Sequence, residues 1–183
     1  MSRPDTSRLP AAETAMPHRA VDPVMLFFDL VYVFLITELN GVLRAEEGWR
    51  GIVHCAVLLA LIYWQWVLVT VQSSIRDAST SRHRFVIMLL MLIAMVSAVA
   101  LPRAFGDRAL LFAITCWTSR LVITFLLARS GNSRAFRMDL TSSLIQGPLL
   151  LGGAALGGAG QLALWSLAAL WEITGPFLHS RAM

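Results

Sequence analysis

The chain contains no lysine. All 15 of its basic residues are arginine, and this removes every chemistry that needs an ε-amine. A Walker-type phosphate loop lacks its lysine, and pyridoxal phosphate and retinal lack a partner for a Schiff base. Cysteine is almost absent: Cys55 and Cys116 each lie inside an apolar stretch, without the spacing of a metal site or a secreted disulfide framework, and read as small buried residues. Charge is scarce too, at 14% of the residues against 57% apolar, where a soluble domain carries roughly a quarter charged. Histidine pairs spaced for zinc, a hydrolase elbow and a dinucleotide fingerprint are also missing. These absences lead us to expect no catalytic residues, no metal, no cofactor and no enzymatic activity.

What is present is hydrocarbon, spread along the whole chain rather than gathered in one tail, with a mean hydropathy of +0.67. Crossing the hydrocarbon core of a bilayer takes about 20 mostly apolar residues at about 1.5 Å rise each. Six windows of that kind, bounded by charge, are found: Val24–Leu43, Gly51–Gln72, Phe85–Leu101, Ala109–Ala128, Met138–Gly157 and Gln161–Leu178. A soluble helical bundle would alternate apolar and polar faces, yet Ser97 is the only polar residue between Val86 and Leu101. Strands are excluded by the length of the windows and their lack of alternation. The fold expected is therefore all-α, a polytopic membrane domain of six transmembrane helices over residues 23–179, followed by a short C-terminal end at 180–183.

Residues 1–22 are polar, with Pro4, Pro10 and Pro17, three arginines and three acids. They lack the apolar core and cleavage site of a removable signal. They are expected to be a disordered cytoplasmic tail, leaving the first apolar segment to direct insertion. Orientation follows from the arginines in alternate loops, since basic residues are retained on the cytoplasmic side. Arg3, Arg8, Arg19, Arg76, Arg82, Arg84, Arg129, Arg134, Arg137 and Arg181 fall on one side; Arg44, Arg50, Arg103 and Arg108 fall on the other. Ten against four places both termini in the cytoplasm. Because the arginines lie between apolar segments rather than along one stripe or tail, no nucleic-acid partner is expected.

Ionisable groups at bilayer depth cost about 2.5–3.5 kcal/mol each on insertion scales, so they need a partner or a task. Asp29 lies near the inner end of the first window, Glu172 near the inner end of the sixth, and Arg120 at the middle of the fourth. A long arginine can reach either acid. Together they make an expected intramembrane cluster that either binds a cation or exchanges a proton, or locks three helices together. Glu38 and His54 fall near the outer ends of the first two windows and form an expected second polar layer. Trp49 and Trp171 suit interfacial belts, while Tyr63, Trp64 and Trp66 lie deeper and read as packing. Gly153 and Gly157 have the small-residue spacing that lets helices approach closely.

The opening window reads Leu26-Phe27-Phe28-Asp29-Leu30-Val31-Tyr32-Val33-Phe34 and then Ile36-Thr37-Glu38-Leu39. This resembles the signature of the bacterial low temperature requirement A family. Trp64-Gln65-Trp66, Pro102 to Gly106, Arg120 and Leu170 to Pro176 are similar to further family features, so the resemblance covers nearly everything after residue 22. Two positions depart from it: Met25 stands where the family usually has Glu, and Glu38 where it often has Gln. Family members also continue past a sixth span into a second set of helices, so this chain resembles an N-terminal half. The Phe-Phe-Asp opening is similar, more faintly, to the Phe-Ser-Asp opening of a family of six-helix potassium channels. What the resemblance implies is a membrane location. The partners to expect are the lipid bilayer and either a second six-helix half or another copy of the chain. Two functions stay open, a transporter or channel-like half, and a non-transporting structural or interaction protein that supports growth in the cold.

Overall fold

The computed structural model of the chain describes residues 23–46, 48–75, 81–128 and 133–181. The expected disordered tail, 1–22, lies outside the described residues, as do the last two residues of the C-terminal end. Six α-helices account for nearly all of the described chain, with no strand among the described residues: α1 (Pro23–Ala45), α2 (Trp49–Ile75), α3 (Ser81–Ala100), α4 (Ala109–Ala128), α5 (Ser133–Leu156) and α6 (Gly158–Arg181). A single 3-10 turn, Leu101–Arg103, follows α3. α4 coincides with its apolar window, and most of the others run a few residues beyond theirs. In α3 the first turn is Ser81-Arg82-His83-Arg84: backbone hydrogen bonding continues through polar side chains at the edge of an apolar run.

The ends of the helices have local causes. Pro23 opens α1, where a missing N–H costs nothing and a fixed φ is already helical. Pro102 sits in the 3-10 turn and packs on α1 at Gly41. Arg108 Nη1 donates to Val99 O at 2.6 Å, satisfying a carbonyl at the end of α3. Between α5 and α6 the chain reverses through Gly157 and Gly158 at φ +66° and +53°, a left-handed conformation that glycine adopts without a Cβ penalty.

Around the bundle the helices pack in the closed order α1, α3, α4, α5, α6, α2 and back to α1, with α2 also touching α4. α5 is gripped on two sides by indoles. Trp117 of α4 lies over Gly147 and donates its N–H to Ser143 O at 3.2 Å, while Trp165 of α6 lies over Gly153 and donates to Leu150 O at 2.9 Å. A Cβ at Gly147 would come within 2.5 Å of the Trp117 ring, and one at Gly153 within 2.6 Å of the Trp165 ring. Pro148 lies inside α5 without ending it.

The solvent implied by the surface is lipid. Leu26, Phe27, Leu30, Phe85, Leu92 and Leu144 are all exposed, whereas Arg120, Asp139, Gln146, Gln161 and Glu172 are buried. In water that arrangement would leave large apolar faces wet and charges dry, the reverse of a soluble domain. Four segments are long and apolar enough to cross a membrane: Pro23–Ala45, Trp49–Gln72, Arg84–Arg103 and Ala109–Ala128. α5 and α6 have the length but not the apolarity. The residues that lower it include Asp139, Ser143, Gln146, Gln161 and Glu172, which all point into the bundle.

Candidate functional site

The polar residues of α4, α5 and α6 meet because helical spacing puts them on facing stripes. On α5, Asp139, Ser143 and Gln146 follow one another at intervals of four and three; on α4, Arg120 and Thr124 are four apart; on α6, Gln161, Trp165, Ala168 and Glu172 share one face. All nine are buried, with Gln146 at 0%, Arg120 and Glu172 at 3% and Asp139 at 8% exposure.

Arg120 holds the centre. Its Nη2 lies 3.0 Å from Asp139 Oδ1 and its Nη1 lies 3.4 Å from Glu172 Oε1. The two acids are held very differently. Asp139 Oδ2 also accepts from the Thr124 hydroxyl at 2.5 Å, and the Ser143 hydroxyl lies 2.7 Å from the same Thr124 oxygen. Thr124 has one proton and three acceptors within reach, Asp139, Ser143 and its own helix's Arg120 carbonyl at 3.0 Å; the nearest, which is charged, takes it. Ser143 then donates to Thr124, and a short chain of hydroxyls ends on the Asp139 carboxylate. Among the described residues Glu172 has only the looser approach of the guanidinium, and neither of its oxygens has a hydrogen-bond partner. Arg120 Nε, the indole N–H of Trp171 and both amide atoms of Gln146 are likewise without one. Buried polar atoms left like this cost on the order of 1–3 kcal/mol each, and more when charged.

Of the residues expected from the sequence, Arg120 and Glu172 are brought together and Asp29 is not. Asp29 is half-buried on α1 and accepts a hydrogen bond from Trp66 Nε1 of α2 at 2.9 Å. Its depth in the helix is suitable, but its place around the ring is not: the helices packed on α1 are α2 and α3, with the 3-10 turn. Asp139 stands where Asp29 was expected. It is the second residue of the Met138–Gly157 window and was not singled out among the charges of the sequence. The signal that identifies it is the Asp139, Ser143, Gln146 stripe, which one-dimensional depth counting ignores.

The second layer is also rearranged. His54 Nδ1 lies 2.6 Å from Glu46 Oε2, while Glu38 is half-buried on α1. His54 stacks on Phe105 with centroids 3.8 Å apart and 12° between planes. Phe105 in turn meets Trp165 at 5.1 Å, and Trp165 meets Phe112 at 5.4 Å. His54 and Phe105 also line a cavity of about 550 Å³ together with Glu46, Arg50 and Leu162. The amide of Gln161 donates to Ala104 O at 2.7 Å and that of Gln65 to Cys116 O at 3.0 Å, tying α6 and α2 to the polar half. No group of three or more His, Cys, Asp or Glu is placed to hold a metal ion among the described residues.

Comparison with known proteins supplies the remaining findings. Residues 20–183 match the family model described as bacterial low temperature requirement A protein. The chain is 31% identical over 158 residues to the uncharacterized protein RA0937 of Rhizobium meliloti (strain 1021), a match that covers 82% of this chain and 38% of that protein. It thus spans well under half the length of that relative. No solved structure matches.

Proposed function

The chain belongs to the bacterial low temperature requirement A family, and from that premise we propose that it is a transporter or channel-like unit whose working centre is the Arg120, Asp139 and Glu172 cluster. In this reading all six helices span the bacterial cytoplasmic membrane with both ends in the cytoplasm. It acts without enzymatic chemistry, alongside a second six-helix unit or a second copy of the chain. One observation carries it: three charged side chains, none more than 8% exposed, are enclosed by helices whose outer faces are apolar. A guanidinium and one carboxylate would suffice to tie helices together, at a cost of about 2.5–3.5 kcal/mol per charge. The third charge leaves the cluster at minus one when all are ionised, a state that a proton or a small cation balances.

Proteoliposomes test this with gradients of protons, alkali cations and organic solutes. The expected result is flux through the wild-type protein that Glu172→Gln lowers at least tenfold while the amount of folded protein is unchanged. Absence of flux for every gradient would remove the reading. The 3.0 Å contact of Arg120 with Asp139 favours a second function, a non-transporting structural or interaction protein that supports the membrane in the cold. That alternative expects Asp139→Asn and Glu172→Gln to lower the yield of folded protein with no transport to lose.

A further inference from the structure

We propose that Glu172 is a proton-binding site: its carboxylate takes up and releases one proton inside the α4, α5 and α6 core, beside the Arg120–Asp139 pair. The inference rests on the polar core being the functional centre, and it names that centre's ligand. The chemistry is one equilibrium, a carboxylate plus a proton giving a carboxyl group, with no other bond made or broken.

The asymmetry between the acids decides which one exchanges. Asp139 is held by the guanidinium at 3.0 Å and by the Thr124 hydroxyl at 2.5 Å, so protonating it would discard two charge-assisted contacts. Glu172 has the guanidinium at 3.4 Å and no hydrogen bond to either oxygen, so protonating it discards little. It also removes the one charge in excess of the Arg120–Asp139 pair.

A metal cation fits the same place poorly. Alkali and alkaline-earth ions need several oxygens around them, and one arriving at Glu172 would meet the Arg120 guanidinium beside it. A proton needs a single oxygen and leaves the site neutral, which the neighbouring cation tolerates.

Gln146 is a second fully buried polar group of this core: it lies one turn along the α5 face from Ser143, and neither its amide nitrogen nor its amide oxygen has a hydrogen-bond partner among the described residues. The ionisable groups facing Glu172 are Arg120 and Cys116 from α4 and Asp139 from α5. From α2, the other helix packed on α6, Gln65 is engaged with Cys116 O and Tyr63 is half exposed.

The test is infrared difference spectroscopy of the full chain in lipid, between acid and alkaline buffer, in H₂O and in D₂O. Expected is a protonated-carboxyl C=O band that changes with pH, moves down in D₂O, vanishes in Glu172→Gln and persists in Asp29→Asn. Glu172→Asp should restore a band at a shifted position, and it serves as the variant of record if Glu172→Gln does not fold. The proposal is overturned if no such band exists, if it survives Glu172→Gln, or if Na⁺ or K⁺ at fixed pH abolishes it as alkali does. Flux is read separately in proteoliposomes. A band without flux retains the proton site and removes transport; flux without a band does the reverse.

Discussion

The two halves of the bundle place their polarity differently. In α1 to α3 the buried side chains are mostly apolar, Phe28, Tyr32, Leu35, Leu58, Leu90 and Met91 among them, and the acid of the opening motif sits at the edge on one indole N–H. In α4 to α6 the buried set includes an arginine, two acids, two glutamines and four hydroxyl residues. Apolarity follows the same division, since three of the four segments apolar enough to cross a bilayer unaided belong to the first half. The lesson is that the greasiest helices build the wall. The two helices that fall short of the apolarity of a span carry both acids of the site, because their polar residues face the bundle and not the lipid, while the apolar α4 supplies the arginine.

The sharpest way to break that contrast is to remove its centre. Arg120→Leu leaves Asp139 and Glu172 buried together without their cation. Breaking one side of a buried charge set costs about 3–5 kcal/mol, so a large fall in the thermal midpoint of the detergent-solubilised protein is expected. Asp29→Asn keeps a carbonyl oxygen to accept from Trp66 and should stay within about 1 kcal/mol of wild type. Equal losses from the two substitutions would mean that the halves are not different in kind.

Packing offers a smaller test of the same division. Gly153→Leu drives a side chain into the Trp165 indole, where even a Cβ would stand 2.6 Å from the ring. Trp165 has no exposure through which to retreat. Overpacking of this sort costs about 1–3 kcal/mol. At Gly41 in α1 the corresponding distance to Pro102 is 3.3 Å, so Gly41→Ala asks for a shift of tenths of an ångström and should cost much less. Unfolding midpoints of the two variants, measured side by side, check the order.

Much of the fold was readable in advance because bilayer thickness and helical rise leave few options: α4 and its apolar window coincide, and the glycines at 157 and 158 mark the reversal between α5 and α6. The site was legible only in part. Arg120 and Glu172 stood out as charges in apolar windows, but depth along a helix says nothing about angle around a bundle. Asp29 was therefore grouped with residues that the structure places elsewhere around the ring. Asp139 was not singled out, although its spacing to Ser143 and Gln146 marks a stripe on one helix face. Glu46, just past the end of α1, lies outside the apolar windows in which charges were sought, so its contact with His54 was not readable from them.

The smallest expected effect belongs to that outer pair and bears on the comparison through salt. Glu46 and His54 side chains are 35% and 15% exposed, so their contact is partly screened and is worth at most about 1 kcal/mol. Glu46→Gln should lower the unfolding midpoint slightly at low ionic strength. Added salt weakens exposed ion pairs and leaves buried ones nearly untouched. Raising the salt should therefore close the gap between Glu46→Gln and wild type but leave the Arg120→Leu deficit in place. If salt instead reduced the Arg120→Leu deficit, solvent ions would have access to the core, and the dry centre between α4, α5 and α6 would have to be redrawn as a hydrated channel.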